Sequence, residues 1–356
     1  MKALELFYST SNHVDPLRNP HPYSAILHYR AWEKLFLKAR CLMECFTEQL
    51  LKFHEPHGAC RFAFDALNRV ESSKFSSDVF GVLIIVWSEM GLVEEALCVY
   101  SWLKDLPALR ACNAVLHGFG NVGWLVSMLE VYRKMGSRGL SPDVVTYGIL
   151  INGCCRKGDL SKALELFNEM SERGVNANGV IYTTIVHGLC VRSKMVEAKS
   201  VFRRMEEAGV LPNLYAYNSI FDGYYRSGNV KQALVVYRQM LIDGIPPNVV
   251  TFSILIDALC GLGKVVAARN FLVNMAKFGV VPNIFVYNSL IKGYCGVGKL
   301  PEVEKFTKEM RKFGISPDVF TYSMLIKGHC CGGNIEEADD LLQKMMKEGI
   351  VANSVT

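Results

Sequence analysis

From residue 109 to residue 353 the chain repeats one pattern of apolar and polar positions every 35 residues. Seven contiguous units begin at 109, 144, 179, 214, 249, 284 and 319, with no insertion or deletion. Numbering positions from the first residue of a unit, 144–178 carries Tyr147, Leu150, Ile151 and Cys154 at 4, 7, 8 and 11. That i, i+3, i+4, i+7 stripe predicts a first amphipathic helix. Gly158 at position 15 breaks it, and a second stripe follows at Leu160, Ala163, Leu164, Phe167 and Met170. Glycine stands at position 31 of all seven units, from Gly139 to Gly349, where a helix end needs left-handed backbone. Methionine stands at position 27 of all seven, from Met135 to Met345, and reads as core filler. A helix pair this small buries its apolar face only against neighbouring pairs. The pattern therefore predicts an all-α solenoid with one continuous core.

The unit opens with Val-Val-Thr-Tyr (144–147), continues with Gly-x-Cys-x-x-Gly (153–158) and Ala-Leu-x-Leu-Phe-x-x-Met (163–170), and closes as in Gly314-Ile315-Ser316-Pro317-Asp318. In these motifs the chain resembles the pentatricopeptide repeat family, in the class of uniform 35-residue units. The tetratricopeptide repeat differs in period and in its Trp and Leu-Gly opening, absent here. The resemblance implies a right-handed α-α superhelix of stacked helix-turn-helix repeats.

Outside 109–353 the pattern is worn. Residues 2–7 are identical to residues 162–167, so 1–19 is expected to be the second helix of a truncated repeat plus a linker. Residues 20–108 are expected to be degenerate or shortened repeats. In 20–54, Tyr23, Ile26, Leu27 and Ala39 fit positions 4, 7, 8 and 20; 55–76 holds one helix out of register; 77–108 is a 32-residue unit with Gly91 and Ala96 at 15 and 20. Residues 354–356 match the start of another repeat, so the expectation is a fragment or an incomplete gene model. No organellar transit peptide is visible in residues 1–31, which carry Glu5 and Asp15 and are not rich in arginine.

Composition adds exclusions. Mean hydropathy is +0.17, yet the longest strongly apolar run, 82–87, is far too short to span a bilayer, so no membrane insertion is expected. The net charge is +5, and the seven units carry 28 Lys and Arg against 21 Asp and Glu, a mild basic bias compatible with an anionic partner. Five of twelve cysteines recur at position 12: Cys155, Cys190, Cys260, Cys295 and Cys330. Equivalent residues of stacked helices lie about 8–10 Å apart, beyond the ~7 Å that a disulfide tolerates. With no C-x-x-C pair, small buried thiols in a reducing compartment are expected. His54 and His57 form a lone H-x-x-H, and neither a metal nor a cofactor is expected.

Three positions recur with restricted chemistry. Position 35 is Asp143, Asn178, Asn213, Asn248, Asn283, Asp318 and Asn353; position 5 is Asn113, Gly148, Thr183, Asn218, Ser253, Asn288 and Ser323. Position 2 is Arg110, then Val145, Val180, Tyr215, Val250, Phe285 and Phe320. Asp or Asn directly before a helix is a good N-cap, which alone would explain position 35. The three together recur once per unit, and the resemblance implies that they read single-stranded RNA at one base per repeat. Gly148 departs from that pattern by offering no side chain to a base.

An Asp carboxylate only accepts, which suits uracil N3–H or guanine N1–H, whereas an Asn amide can donate to adenine N1 or cytosine N3. Ser or Thr at position 5 suits a purine and Asn a pyrimidine, and the position-2 side chains would hold each base by stacking or apolar contact. Read in the family's polarity, the units expect 5′-U-N-A-Y-A-U-A-3′. Arg156 and Arg226, at position 13, are candidates for phosphate contact. The alternative is a helical scaffold for protein–protein interaction. No deaminase signature of H-x-E with C-x-x-C is present, nor a nucleophile constellation or phosphate loop, so the chain is expected to be a binding module rather than an enzyme, with any catalysis supplied by partner proteins. Family resemblance implies a mitochondrial or chloroplast setting.

Overall fold

The computed structural model describes residues 27, 36–68, 78–103 and 109–352, and among them it contains eighteen α-helices and no strand. It divides into two compact units, 1–181 and 182–356. In the first lie α1 (Phe36–Leu51), α2 (Pro56–Asn68), α3 (Asp78–Glu89), α4 (Val93–Trp102), α5 (Leu109–Val122), α6 (Leu125–Ser137), α7 (Val144–Lys157) and α8 (Leu160–Glu172). Helix α9 (Gly179–Val191) spans the division. The second unit continues with α10 (Met195–Glu207), α11 (Leu214–Arg226), α12 (Val230–Ile242), α13 (Val249–Gly261), α14 (Val265–Lys277), α15 (Ile284–Gly296), α16 (Leu300–Lys312), α17 (Val319–Cys331) and α18 (Ile335–Lys347). The expectations placed on residues 2–7, Tyr23, Ile26, Asn353 and residues 354–356 lie outside the described residues.

Each unit is a stack of helix pairs. In the second, α11, α13, α15 and α17 pack successively on one another and each on its own second helix. In the first, α3, α5 and α7 do the same. All seven position-27 methionines are fully buried, as are Tyr147, Leu150, Ile151 and Cys154. One apolar cluster runs from Val230 through Phe252, Ile256, Tyr287 and Ile291 to Leu325, so burial continues from repeat to repeat. The second stripe is shifted slightly from the expected one: Leu166 is fully buried, and Leu164 only half.

Close helix approach is written at position 10, which is glycine in six of the seven repeats. A Cβ on Gly293 would lie 2.6 Å from both Cβ and Sγ of Cys260, and one on Gly328 would lie 2.6 Å from Sγ of Cys295. The position-12 thiol of one repeat thus fills the place of the missing side chain on the next. This explains a departure from the expected burial of the cysteines. Cys190 and Cys260 are buried, but Cys330, in the last described repeat, is exposed, as are Cys331, Cys41 and Cys45. Burial pushes the thiols of Cys190 and Cys260 up to about 12, leaving them as packing groups.

The worn region takes a different register from the expected one. Helix α1 packs on α2 and α3, and α2 on α4, so α1 stands as a first helix and α2 as its partner. Ala39, assigned by pattern to a second helix, therefore lies in a first one. The buried Trp87 indole donates to Thr47 at 2.7 Å, a long-range contact that local periodicity does not encode. His54 stacks on Phe62 and His57 lies beside Glu95.

Candidate functional site

The turn between repeats sets the geometry of the site. In every described case the position-35 side chain caps the next first helix through Oδ1. Asp143 accepts from the Thr146 N–H at 2.8 Å, Asn178 from Ile181 at 3.1 Å, and Asn213 from Ala216 at 2.9 Å. Asn248, Asn283 and Asp318 accept from Thr251, Val286 and Thr321 at 3.0, 3.2 and 2.8 Å. A helix N-terminus leaves its first N–H groups without partners, and the cap supplies one acceptor. An N–H must face an oxygen, so the cap also settles which end of an asparagine amide points inward. The end left outside the cap is Oδ2 in Asp143 and Asp318, and Nδ2 in the asparagines.

Beside these caps, position 2 points outward. Val145, Val180, Tyr215, Val250, Phe285 and Phe320 are 45–70% exposed, an apolar side chain in solvent at the same place in six successive repeats. Arg110 is exposed as well. Tyr215 and Val250, on consecutive repeats, wall an open cleft of about 640 Å³ whose lining includes Asn218, Asn248, Asp222 and His187. Tyr215 and Val250 supply exposed apolar blades, and three asparagines, Asn213, Asn218 and Asn248, also line it.

Position 5 is more buried than position 2. Asn113, Thr183, Asn288 and Ser323 are buried, and Gly148, Asn218 and Ser253 are half-buried. Ser253 and Ser323 each donate to the carbonyl four residues back, at 2.7 Å. Where position 5 is asparagine it joins the cap. Asn113, Asn218 and Asn288 donate from Nδ2 to Oδ1 of Asp143, Asn248 and Asp318 at 3.4, 3.4 and 3.3 Å. Their own Oδ1 atoms lie 2.8, 2.7 and 2.6 Å from the hydroxyls of Thr146, Thr251 and Thr321. The pairs expected from sequence are thus brought together here. The threonines, at position 3 of the following repeat, were missed. The signal was present: threonine follows each of these asparagines, while Ile181, Ala216 and Val286 follow Gly148, Thr183 and Ser253.

Burial opposes ionisation of Asp143, but hydrogen bonds from the Thr146 backbone and hydroxyl and from Asn113 outweigh it, and its pKa falls below the usual aspartate value. Asp318 is lowered in the same way, with Thr321 and Asn288 as donors. Both present an anionic acceptor at neutral pH. The expected phosphate ligands differ from one another. Exposed Arg156 donates to Asn121 at 3.1 Å, whereas Arg226 is paired with Asp222 at 2.7 Å. At position 9, Lys292 and Lys327 are exposed, and Asp257 accepts from the Tyr225 hydroxyl.

Sequence comparison bears on this arrangement of caps and blades. The PPR repeat family matches residues 177–226, 212–261 and 282–331, and further PPR repeats match 138–171, 110–140, 250–280 and 320–350. The chain belongs to the pentatricopeptide repeat family. A similar relative is the pentatricopeptide repeat-containing protein At5g61400 of Arabidopsis thaliana, 40% identical over 158 residues, which are 44% of this chain and 24% of the relative. The chain thus matches about a quarter of that relative's length. Among solved structures, the crystal structure of pentatricopeptide repeat protein PPR10 from maize superposes with a TM-score of 0.67 at 23% identity, covering 99% of this chain and 49% of that one. PPR10 in complex with an 18-nt psaJ RNA element gives 0.50 at 20% identity, covering 96% and 57%. Both likenesses establish the pentatricopeptide repeat fold.

Proposed function

We propose that the chain binds single-stranded RNA in a sequence-specific way, with one repeat per base. The observation that carries this is the cleft between Tyr215 and Val250, where two exposed apolar blades flank Asn218 and Asn248. A planar base fits between such walls by stacking or apolar contact, and the atom of position 35 outside the cap meets its edge. The same three positions recur in the other repeats, and the complex of the maize relative with RNA supports the reading. Asp143 and Asp318 suit uracil; Asn213, Asn283 and Asn353, behind a hydroxyl at position 5, suit adenine; Asn248 behind Asn218 suits a pyrimidine. The repeat of Gly148 and Asn178 has no assigned base. The expected ligand is 5′-U-N-A-Y-A-U-A-3′. Partner proteins would supply any catalysis, and family membership supports action in a mitochondrion or chloroplast.

The test is binding of fluorescent RNA at one moderate salt concentration, comparing the matched strand, a scrambled strand and a duplex. The matched strand binds most tightly under this proposal. Equal affinity for matched and scrambled strands defeats base reading. A folded sample that binds no RNA at all favours a protein-binding scaffold.

A further inference from the structure

The three threonines complete capping boxes, their hydroxyls accepting from the backbone N–H of Asp143, Asn248 and Asp318 at 3.3, 3.3 and 3.2 Å, and each also reaches the position-5 asparagine of the preceding repeat. Thr146, Thr251 and Thr321 are fully buried, and a buried hydroxyl is costly unless it is hydrogen-bonded. The bond to Oδ1 of position 35 needs only their backbone N–H groups. Ile181, Ala216 and Val286 supply the same N–H to Asn178, Asn213 and Asn283 without any hydroxyl. In the described repeats the hydroxyl appears only where position 5 of the preceding repeat is asparagine, and it lies 2.6–2.8 Å from that asparagine's Oδ1.

We propose that Thr146, Thr251 and Thr321 are positioning residues that give the preceding repeat its preference for pyrimidines. This rests on the base-reading function above. Each hydroxyl has two acceptors in reach, the asparagine Oδ1 at 2.6–2.8 Å and Oδ1 of position 35 at 2.8–3.1 Å. Shared between them, its proton holds the oxygen end of the amide inward while Nδ2 donates one proton to Oδ1 of position 35. Both ends of the amide are then fixed, and one Nδ2 proton is left for a ligand. Uracil and cytosine share an O2 acceptor beside N3, so a donor held at that place accepts either of them. The outer end of position 35 then separates the two: Asp Oδ2 accepts from uracil N3–H, and Asn Nδ2 can donate to cytosine N3. Two tasks fall to two side chains, and the threonine holds the first in register. Without its hydroxyl the amide is held only at its Nδ2 end, by a long bond of 3.3–3.4 Å, and its remaining proton is less well aimed.

Thr321→Val tests this, because Val286 already occupies the equivalent place and shows that the fold accepts valine there. Affinities are measured for the matched strand with U, C, A or G at the sixth base. Expected is a fall of about 2- to 10-fold in the pyrimidine-over-purine ratio at that base, the worth of one hydrogen bond. The U-over-C ratio and the other bases stay unchanged, and Thr321→Ser restores the preference. If Thr321→Val leaves the ratio intact while Asn288→Ser shifts it, the threonine only packs and the proposal falls, though base reading survives. If neither variant moves any ratio, base reading itself fails. A gain-of-function arm is independent of damage to the fold. A Cβ on Gly148 meets only Ile181, at 3.7 Å, so Gly148→Asn fits. Together with Ile181→Thr it should install a pyrimidine preference at the second base, whereas Gly148→Asn alone should not. An equal preference from the single variant overturns the proposal.

Discussion

Under the proposed base reading, one side chain at position 35 serves two purposes through two different atoms. Capping engages Oδ1 and leaves the other end for a ligand, so capping and base reading do not compete. Asn caps about as well as Asp, so Asp318→Asn keeps the turn and exchanges an acceptor for a donor. Preference at the sixth base should move from U toward C. The ratio of the two affinities should shift roughly 5- to 100-fold, since leaving a buried polar group unpaired costs about 1–3 kcal/mol. The melting temperature is the control, and an unchanged ratio in a folded variant removes position 35 from base reading. Acid makes a second test. The carboxylates of Asp143 and Asp318 sit below the ordinary value of 3.8 when folded. Their contribution to stability is present above that value and is lost as the pH falls through the lower folded one. The stability gap between wild type and the doubly substituted Asp143→Asn, Asp318→Asn protein should therefore be constant from neutral pH down to about pH 5 and narrow near pH 3, as urea unfolding would record. Ser193 is a separate residue-scale case. It occupies left-handed backbone at φ 58°, where the other six repeats have glycine. Ser193→Gly should raise stability by up to about 1 kcal/mol, the usual cost of that conformation less the added chain entropy.

Between elements, glycines on the same kind of helix have opposite meanings. Gly293 faces Cys260 so closely that even its backbone Cα lies 3.2 Å from an added Cβ. Gly293→Ala should force α13 and α15 apart and cost about 1–3 kcal/mol by overpacking. Gly148 has room, and as a helix-interior glycine it lowers stability by roughly 0.5–1 kcal/mol relative to alanine. Gly148→Ala should recover that amount. Chemical denaturation of the two variants checks both signs, and stabilisation by Gly293→Ala would refute the close-packing argument. The exception at position 10 fits the same account: Ala258 follows a repeat whose position 12 is Tyr225 rather than cysteine, and the Tyr225 hydroxyl reaches Asp257 beside it.

Among the described residues of each unit, the first helices pack on those of adjacent repeats, so local changes should have local effects. Mismatches at the third and sixth bases of the RNA should add within about 0.5 kcal/mol, as independent sites do. Titrations of the two single and the double mismatch decide this. Electrostatics follows a different rule, because losing a phosphate contact weakens binding of all sequences alike. Arg156→Ala should lower affinity for matched and scrambled RNA equally and flatten the salt dependence. Arg226→Ala should do less, since Asp222 already neutralises that guanidinium. A loss confined to the matched strand would mean that Arg156 reads a base.

The 35-residue period, the helix pairs, the buried methionine row and the left-handed glycines at position 31 were all legible in the sequence. They depend on local periodicity and on backbone conformation, which neighbouring residues set. Positions 5 and 35 could be named for the same reason, since they recur at constant offsets. Tertiary structure alone decided what faces what. It placed α1 as a first helix, exposed Cys330 while burying Cys260, buried Leu166 ahead of Leu164, and paired Arg226 with Asp222. It also joined Asn288, Asp318 and Thr321, residues 30 and 33 apart in the chain, into one hydrogen-bonded group. Such contacts follow from how one repeat seats on the next, and a single unit's pattern of apolar positions carries no record of them.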